Sequence, residues 1–144
     1  MQVILFFDGG SRGNPGPAGA GYWITNGDTP HGGYKYLGHQ TNNVAEYNGL
    51  ILGLEQLSTL QKSHSLDSEL SVKIYGDSKL VIEQCKGNWK IKAPHLVPLH
   101  RSVLDLLKGF KKVEFTHVLR HLNTNADAMA NMAIDTKSFG TTPQ

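Results

Sequence analysis

The chain has 144 residues and a mass of 15.8 kDa, the size of one domain, and is 39% apolar and 18% charged, which supports a packed core and excludes wholesale disorder. No apolar run approaches the ~20 residues of a membrane span; the longest is Val3–Phe7, the N-terminus lacks the pattern of a signal peptide, and the single Cys85 excludes both an intrachain disulfide and a cysteine-rich zinc site. The expectation is a soluble cytoplasmic domain with a net charge of +2 that is unevenly spread: seven cations against Asp105 between Lys86 and Lys112 give +6, leaving −4 elsewhere, as suits a polyanionic partner on one side.

Val3–Phe7, running into Asp8-Gly9-Gly10, predicts a first strand buried on both faces. Gly9–Gly21, with six glycines and two prolines, reads as a constrained turn. Gly19–Asn26 and Gly33–His39 read as two strands joined by a turn at Gly27–Pro30. Val44–Leu60 is helical in period, with Val44, Tyr47, Ile51, Leu54 and Leu57 or Ser58 on one stripe and Gly49 and Gly53 on an adjoining one. A polar loop at Ser63–Glu69 precedes a strand at Leu70–Tyr75, a helix at Ser78–Cys85, a helix at Leu96–Phe110, a strand at Lys112–Leu119 and a helix at Asn125–Asp135. Residues 138–144 read as a flexible polar tail behind one domain of residues 1–137. The order predicts a mixed sheet with helices on its faces, an α/β fold.

Four acids fall at comparable places: Asp8 at a strand end, Glu46 in the first turn of a helix, Asp77 between strand and helix, and Asp127 in the first turn of the last helix. Such positions gather at one edge of an open α/β sheet, where sites form. Carboxylates converging there repel one another unless cations neutralise them, and an all-oxygen set suits Mg²⁺ or Mn²⁺. Each acid also has an ordinary structural reading. Asp8 could close a turn before Gly-Gly, Glu46 and Asp127 could belong to capping boxes behind Asn43 and Thr124, and Asp77 could cap its helix.

The segments Asp8-Gly-Gly-Ser-Arg-Gly-Asn-Pro-Gly-Pro17, Thr41-Asn-Asn-Val-Ala-Glu46, Asp77-Ser78 and Asn123-Thr-Asn-Ala-Asp127 resemble, in order and spacing, the four signatures of the type 1 ribonuclease H family. The resemblance spans about residues 1–135. It implies a ribonuclease-H-like fold with a five-stranded mixed sheet. It also implies endonucleolytic hydrolysis of the RNA strand of RNA–DNA hybrids, leaving 5′-phosphate and 3′-hydroxyl ends. Asp8, Glu46, Asp77 and Asp127 would be the metal-binding carboxylates, and two ions would activate a water and stabilise the phosphate and the leaving oxygen.

The same resemblance makes Asn14, Asn42 and Asn43 contacts to base edges and 2′-hydroxyls in the hybrid's minor groove, and Thr41 a contact to a DNA-strand phosphate. Trp89, among Lys86, Lys90 and Lys92, would line the DNA-strand channel. His121 would assist proton transfer or product release, with Arg120 as the rival, a phosphate clamp. His117 reads as a strand residue and Cys85 as an inert buried thiol.

Some members of the family carry a long basic protrusion after the third signature; here Lys86–Leu99 is short and holds Pro94 and Pro98, so that element is reduced or missing, implying weaker hybrid affinity or another ion preference. A catalytically inactive nucleic-acid-binding adaptor is the alternative function, against which the four retained acids speak. A nuclease for double-stranded RNA or a subunit of a polymerase assembly is a further one. A monomer is expected.

Overall fold

The computed structural model describes residues 1–26, 30–63 and 66–142. Strands β1 (Gln2–Ser11), β2 (Gly16–Thr25) and β3 (His31–Gln40) lead into helix α1 (Asn42–Lys62). Strand β4 (Ser71–Gly76), helix α2 (Lys79–Cys85), helix α3 (Val97–Leu107), strand β5 (Lys112–His117), helix α4 (Thr124–Thr136) and strand β6 (Phe139–Thr142) follow. Short 3₁₀ turns at Pro94–Leu96 and Arg120–Leu122 precede α3 and α4. Among the described residues no helix is long and apolar enough to cross a membrane.

The strands form one mixed sheet in the order β5-β4-β1-β2-β3-β6. β1 pairs antiparallel with β2 and parallel with β4, and β4 pairs parallel with β5. Among the described residues the sheet has six strands where five were expected. The sixth lies in the segment read as a tail: Phe139–Thr142 pairs antiparallel with Gly32–Lys35 of β3, although Phe139 is largely exposed. Its ladder is made of backbone bonds, which an apolar pattern does not reveal.

A second correction concerns Gly9–Gly21. It is mostly strand, and only residues 12–15 connect β1 to β2. The glycines serve close packing. A Cβ on Gly9 would fall 2.1 Å from the Ala45 carbonyl oxygen of α1, and one on Gly21 would fall 2.5 Å from the Ala130 nitrogen of α4. The two helices thus lie almost on the strand backbones. In the connection itself Gly13 has φ +88°, a conformation that favours glycine.

β1 alternates instead of being buried on both faces: Val3, Leu5 and Phe7 are buried, while Ile4 and Phe6 are half-buried, Phe6 against Tyr75 at 5.3 Å between ring centroids. The main core joins Leu5, Phe7 and Tyr22 of the sheet to Tyr47, Leu50, Leu54 and Leu57 of α1 and to Val103 of α3. Helix α1 is wedged between sheet and α3, so its buried arc is wider than the expected stripe and takes in Ala45, Gly49 and Gly53. The expected turn at Gly27–Pro30 lies, for residues 27–29, outside the described residues, as do residues 64–65 of the polar loop and 143–144 of the tail.

Candidate active site

The parallel ladder of β1 and β4 ends at the pair Phe7 and Gly76. Beyond it β1 continues to Ser11, paired with β2 alone, so Asp8 lies within the strand rather than at its end, opposite Gly21. Asp77 leaves β4 at the same level. Helix α1 brings Glu46 to this edge, because Gly9 and Gly49 let its backbone approach that of β1: a Cβ on Gly49 would lie 2.1 Å from the Asp8 carbonyl oxygen. Carboxylate oxygens of Asp8, Glu46 and Asp77 lie within 4.8 Å of one another.

None of the four acids fills the ordinary structural role open to it. The N-cap of α1 is Thr41, whose hydroxyl accepts from the Val44 N–H at 3.3 Å. The N-cap of α2 is Ser78, accepting from the Val81 N–H at 3.3 Å. Helix α4 has Asn123 at its N-cap position and no side-chain capping bond, so Thr124 and Asp127 form no capping box. Asp8 sits in regular strand. With α1 and α2 capped by Thr41 and Ser78, the carboxylates of Asp8, Glu46 and Asp77 are left to one another.

Their electrostatics follow from the burial. Asp8 and Glu46 are 6% and 9% exposed. Burial, and then the negative charge of Asp77, pushes the Asp8 carboxyl from 3.8 up to about 7. Glu46 is raised well above its ordinary value, first by burial and then by Asp8. Its Oε2 is buried with no hydrogen-bond partner among the described residues. An all-carboxylate set with mutual repulsion and an orphaned oxygen fits a hard divalent cation, which would relieve both penalties.

These residues floor an open cleft of about 450 Å³. Asp127 lines it without joining the tight cluster, and the Asn131 amide donates to its Oδ2 at 3.3 Å. Arg120 lines it too; His121, on the same 3₁₀ turn, is exposed and is not part of the lining. His117 ends β5 and its Nε2 lies 3.3 Å from the Asp77 carbonyl oxygen.

One rim is built from asparagines. Asn42 Oδ1 accepts from the Ser11 N–H at 2.9 Å and from the Ser11 hydroxyl at 3.1 Å, and Asn14 Oδ1 accepts from the Asn42 N–H at 3.0 Å. Both carbonyl ends are engaged within the rim, which leaves the NH₂ groups of these two exposed residues as donors. Asn43 lines the cleft and also a neighbouring groove that holds Trp89, Lys90 and Lys92. Trp89 is 44% exposed, with the Lys79 ammonium 6.0 Å from its ring centroid. Between α2 and α3 there is only this short stretch with its 3₁₀ turn, so no long protrusion is present.

The basic half of the chain divides. Lys108, Lys111 and Lys112 pair with Asp105, Glu69 and Glu114 at 3.5, 3.2 and 3.2 Å, whereas Lys90 and Lys92 face the groove. Cys85 is half-buried beside Tyr47, its thiol pushed up to about 12 by burial, which disfavours the thiolate. Sequence reasoning did not single out Arg12, which lines the cleft and pairs with Asp135 at 2.6 Å, nor the Ser11 contacts. Polar residues in a glycine-rich stretch carry no signal of which way they face.

The pattern of the reverse transcriptase-like family matches residues 6–133. The chain is 42% identical over 138 residues to the bifunctional protein Rv2228c of Mycobacterium tuberculosis, covering 94% of this chain and 36% of that protein. It is 40% identical over 137 residues to the ribonuclease HI of Halobacterium salinarum, covering 93% and 65%. The chain thus spans little more than a third of the first relative and just under two thirds of the second. Among solved structures, the N-terminal RNase H domain of Rv2228c is similar at a TM-score of 0.85 and 40% identity over 94% of both chains. LC11-RNase H1, solved in complex with an RNA/DNA hybrid, is similar at a TM-score of 0.85 and 36% identity over 94% of this chain and 98% of that one. With fold, signatures and identity in agreement over nearly its whole length, the chain belongs to the type 1 ribonuclease H family.

Proposed function

We propose that the protein is a metal-dependent endonuclease that hydrolyses the RNA strand of RNA–DNA hybrids, leaving 5′-phosphate and 3′-hydroxyl ends. The observation that carries this reading is the cluster of Asp8, Glu46 and Asp77, with oxygens within 4.8 Å, at the floor of a cleft rimmed by amide donors. A binding module has no use for buried acids facing a polyanion; a hydrolase holding cations does.

In this reading Asp8, Glu46, Asp77 and Asp127 hold two Mg²⁺ or Mn²⁺ ions. When bound, the ions supply Lewis acidity to the scissile phosphate and to the attacking water. The chain does the rest by binding and orientation. The NH₂ groups of Asn14 and Asn42 meet 2′-hydroxyls and base edges of the RNA strand, which distinguishes it from DNA. Asn43 spans from cleft to groove. The Thr41 hydroxyl accepts within its helix cap and keeps its proton for a phosphate of the DNA strand. Trp89 packs on sugars of that strand while Lys90 and Lys92, which share its groove, meet phosphates. Arg120 clamps the phosphate near the acids, and His121, exposed beside it, moves a proton or assists release of product. The same reading has a monomer acting in the cytoplasm, with the hybrid as partner and no membrane.

The test is cleavage of a labelled RNA–DNA duplex beside RNA–RNA and DNA–DNA duplexes, with Mg²⁺, Mn²⁺ or EDTA. Metal-dependent cutting of the RNA strand of the hybrid alone is expected. Binding without cutting under every condition would establish the adaptor function instead. Cutting of the RNA–RNA duplex would establish the broader nuclease.

A further inference from the structure

Asparagine is among the preferred N-cap residues, because its side-chain oxygen accepts from a free N–H of the first helical turn. Asn123 stands at that position before α4 and makes no such bond. Its side chain points into the protein instead. Nδ2 donates to the Phe7 carbonyl at 2.9 Å, and the residue is 1% exposed. Oδ1 is left buried without a partner among the described residues. An uncapped helix and an orphaned buried acceptor are both unfavourable, and local departures of this kind concentrate at functional sites.

Three bonds show what this arrangement achieves. Through its side chain Asn123 holds the carbonyl of Phe7, the residue before Asp8. Its own carbonyl accepts from the Asp127 N–H at 3.1 Å, and its N–H donates to the Arg120 carbonyl at 3.0 Å. One residue therefore joins the strand of Asp8, the helical turn of Asp127 and the 3₁₀ turn of Arg120, all three of which line the cleft. We infer that Asn123 is a positioning residue that sets Asp127 and Arg120 against Asp8, so that the carboxylates hold cations in a fixed geometry. The inference rests on the metal-dependent reading above. Outer contacts of this kind orient ligating carboxylates.

Asn123→Ser separates this role from a merely structural one. Serine restores a side-chain cap to α4, while its short hydroxyl does not reach the Phe7 carbonyl. The expected result is a melting temperature within about 5 °C of the parent. Mg²⁺ binding, measured by isothermal titration, falls about 10- to 100-fold. On hybrid substrate kcat falls while KM stays within about twofold. Unchanged Mg²⁺ binding and unchanged kcat in the folded variant would overturn the inference. If the serine variant does not fold, amide hydrogen exchange on the parent decides: saturating Mg²⁺ should slow exchange at the Asn123 and Asp127 N–H groups about tenfold or more, and no slowing would overturn the inference. A parent that binds no divalent ion would instead overturn the metal-dependent reading itself.

Discussion

Asp77 stands level with Asp8, one residue past the last pair, Phe7 and Gly76, of the parallel ladder between β1 and β4. Adjacent strands lie about 4.8 Å apart, so the half-buried Asp77 carboxylate faces the buried Asp8 carboxyl at short range. The Asp8 carboxyl titrates near 7 instead of 3.8 and that of Glu46 is raised as well, so between these values the folded chain binds more protons than the unfolded chain. The contribution of these two acids to the stability of the metal-free protein is therefore greatest at low pH and is lost as pH rises through about 7. His31, lowered by burial from 6.5, opposes this only below that value. Thermal unfolding in EDTA should give a lower melting temperature at pH 8 than at pH 6.5. Saturating Mg²⁺, which binds only the ionised acids, should reduce or reverse the difference.

Asp8→Asn keeps the shape of the side chain and removes its charge. Turnover of the hybrid should fall by at least ~10³-fold, the scale of losing a charge-stabilising group. The metal-free variant should be at least as stable as the parent at pH 8, since a repulsion has gone. A variant that fails to fold would show that Asp8 is structural.

Replacing a glycine inside a helix by alanine ordinarily gains about 1 kcal/mol. At Gly49 the sign should reverse. The new Cβ would press on the Asp8 carbonyl oxygen, 2.1 Å away, and force α1 off the strand. Gly49→Ala should cost about 1–3 kcal/mol in chemical denaturation and weaken Mg²⁺ binding, because Glu46 moves with the helix.

Asn42→Asp preserves the acceptor that holds Ser11 and deletes the NH₂. The variant should fold with a melting temperature near that of the parent. Its KM for the hybrid should rise about tenfold or more, through loss of a donor to the RNA strand and addition of a negative charge facing it. An unchanged KM would remove Asn42 from the substrate contacts.

The double variant Lys90→Ala, Lys92→Ala should raise KM at low salt and leave kcat within about twofold. If each ammonium meets one phosphate, the slope of log affinity against log salt should fall by roughly 2. Lys111→Ala and Lys112→Ala, whose ammonium groups already pair with Glu69 and Glu114, should change the slope by less.

Much of the fold was legible because its elements carry their own period or punctuation. Helix α1 came within two residues at each end, and β4, α2, β5 and α4 within one or two. The failures share a cause. Glycines in β1 and β2 read as a turn, since nothing local distinguishes a glycine needed for a left-handed bend from one that a helix presses against. Strand β6 is invisible because its pairing uses backbone groups alone. The basic stretch read as one patch, yet three of its seven cations are engaged by acids, such as Glu69 for Lys111.

The sequence by itself determined which chemistry is present: four acids in the motif segments, asparagines near glycines, and Trp89 among lysines. These are properties of short segments, and their spacing survives without knowledge of contacts. Only the tertiary structure decided that residues 8, 46 and 77 share a space of 4.8 Å, that one Glu46 oxygen has no partner among the described residues, and that Asn123 turns inward to Phe7 across a separation of 116 residues. Burial and repulsion depend on distance through space, and a parallel pairing brings together residues whose separation along the chain carries no trace of it.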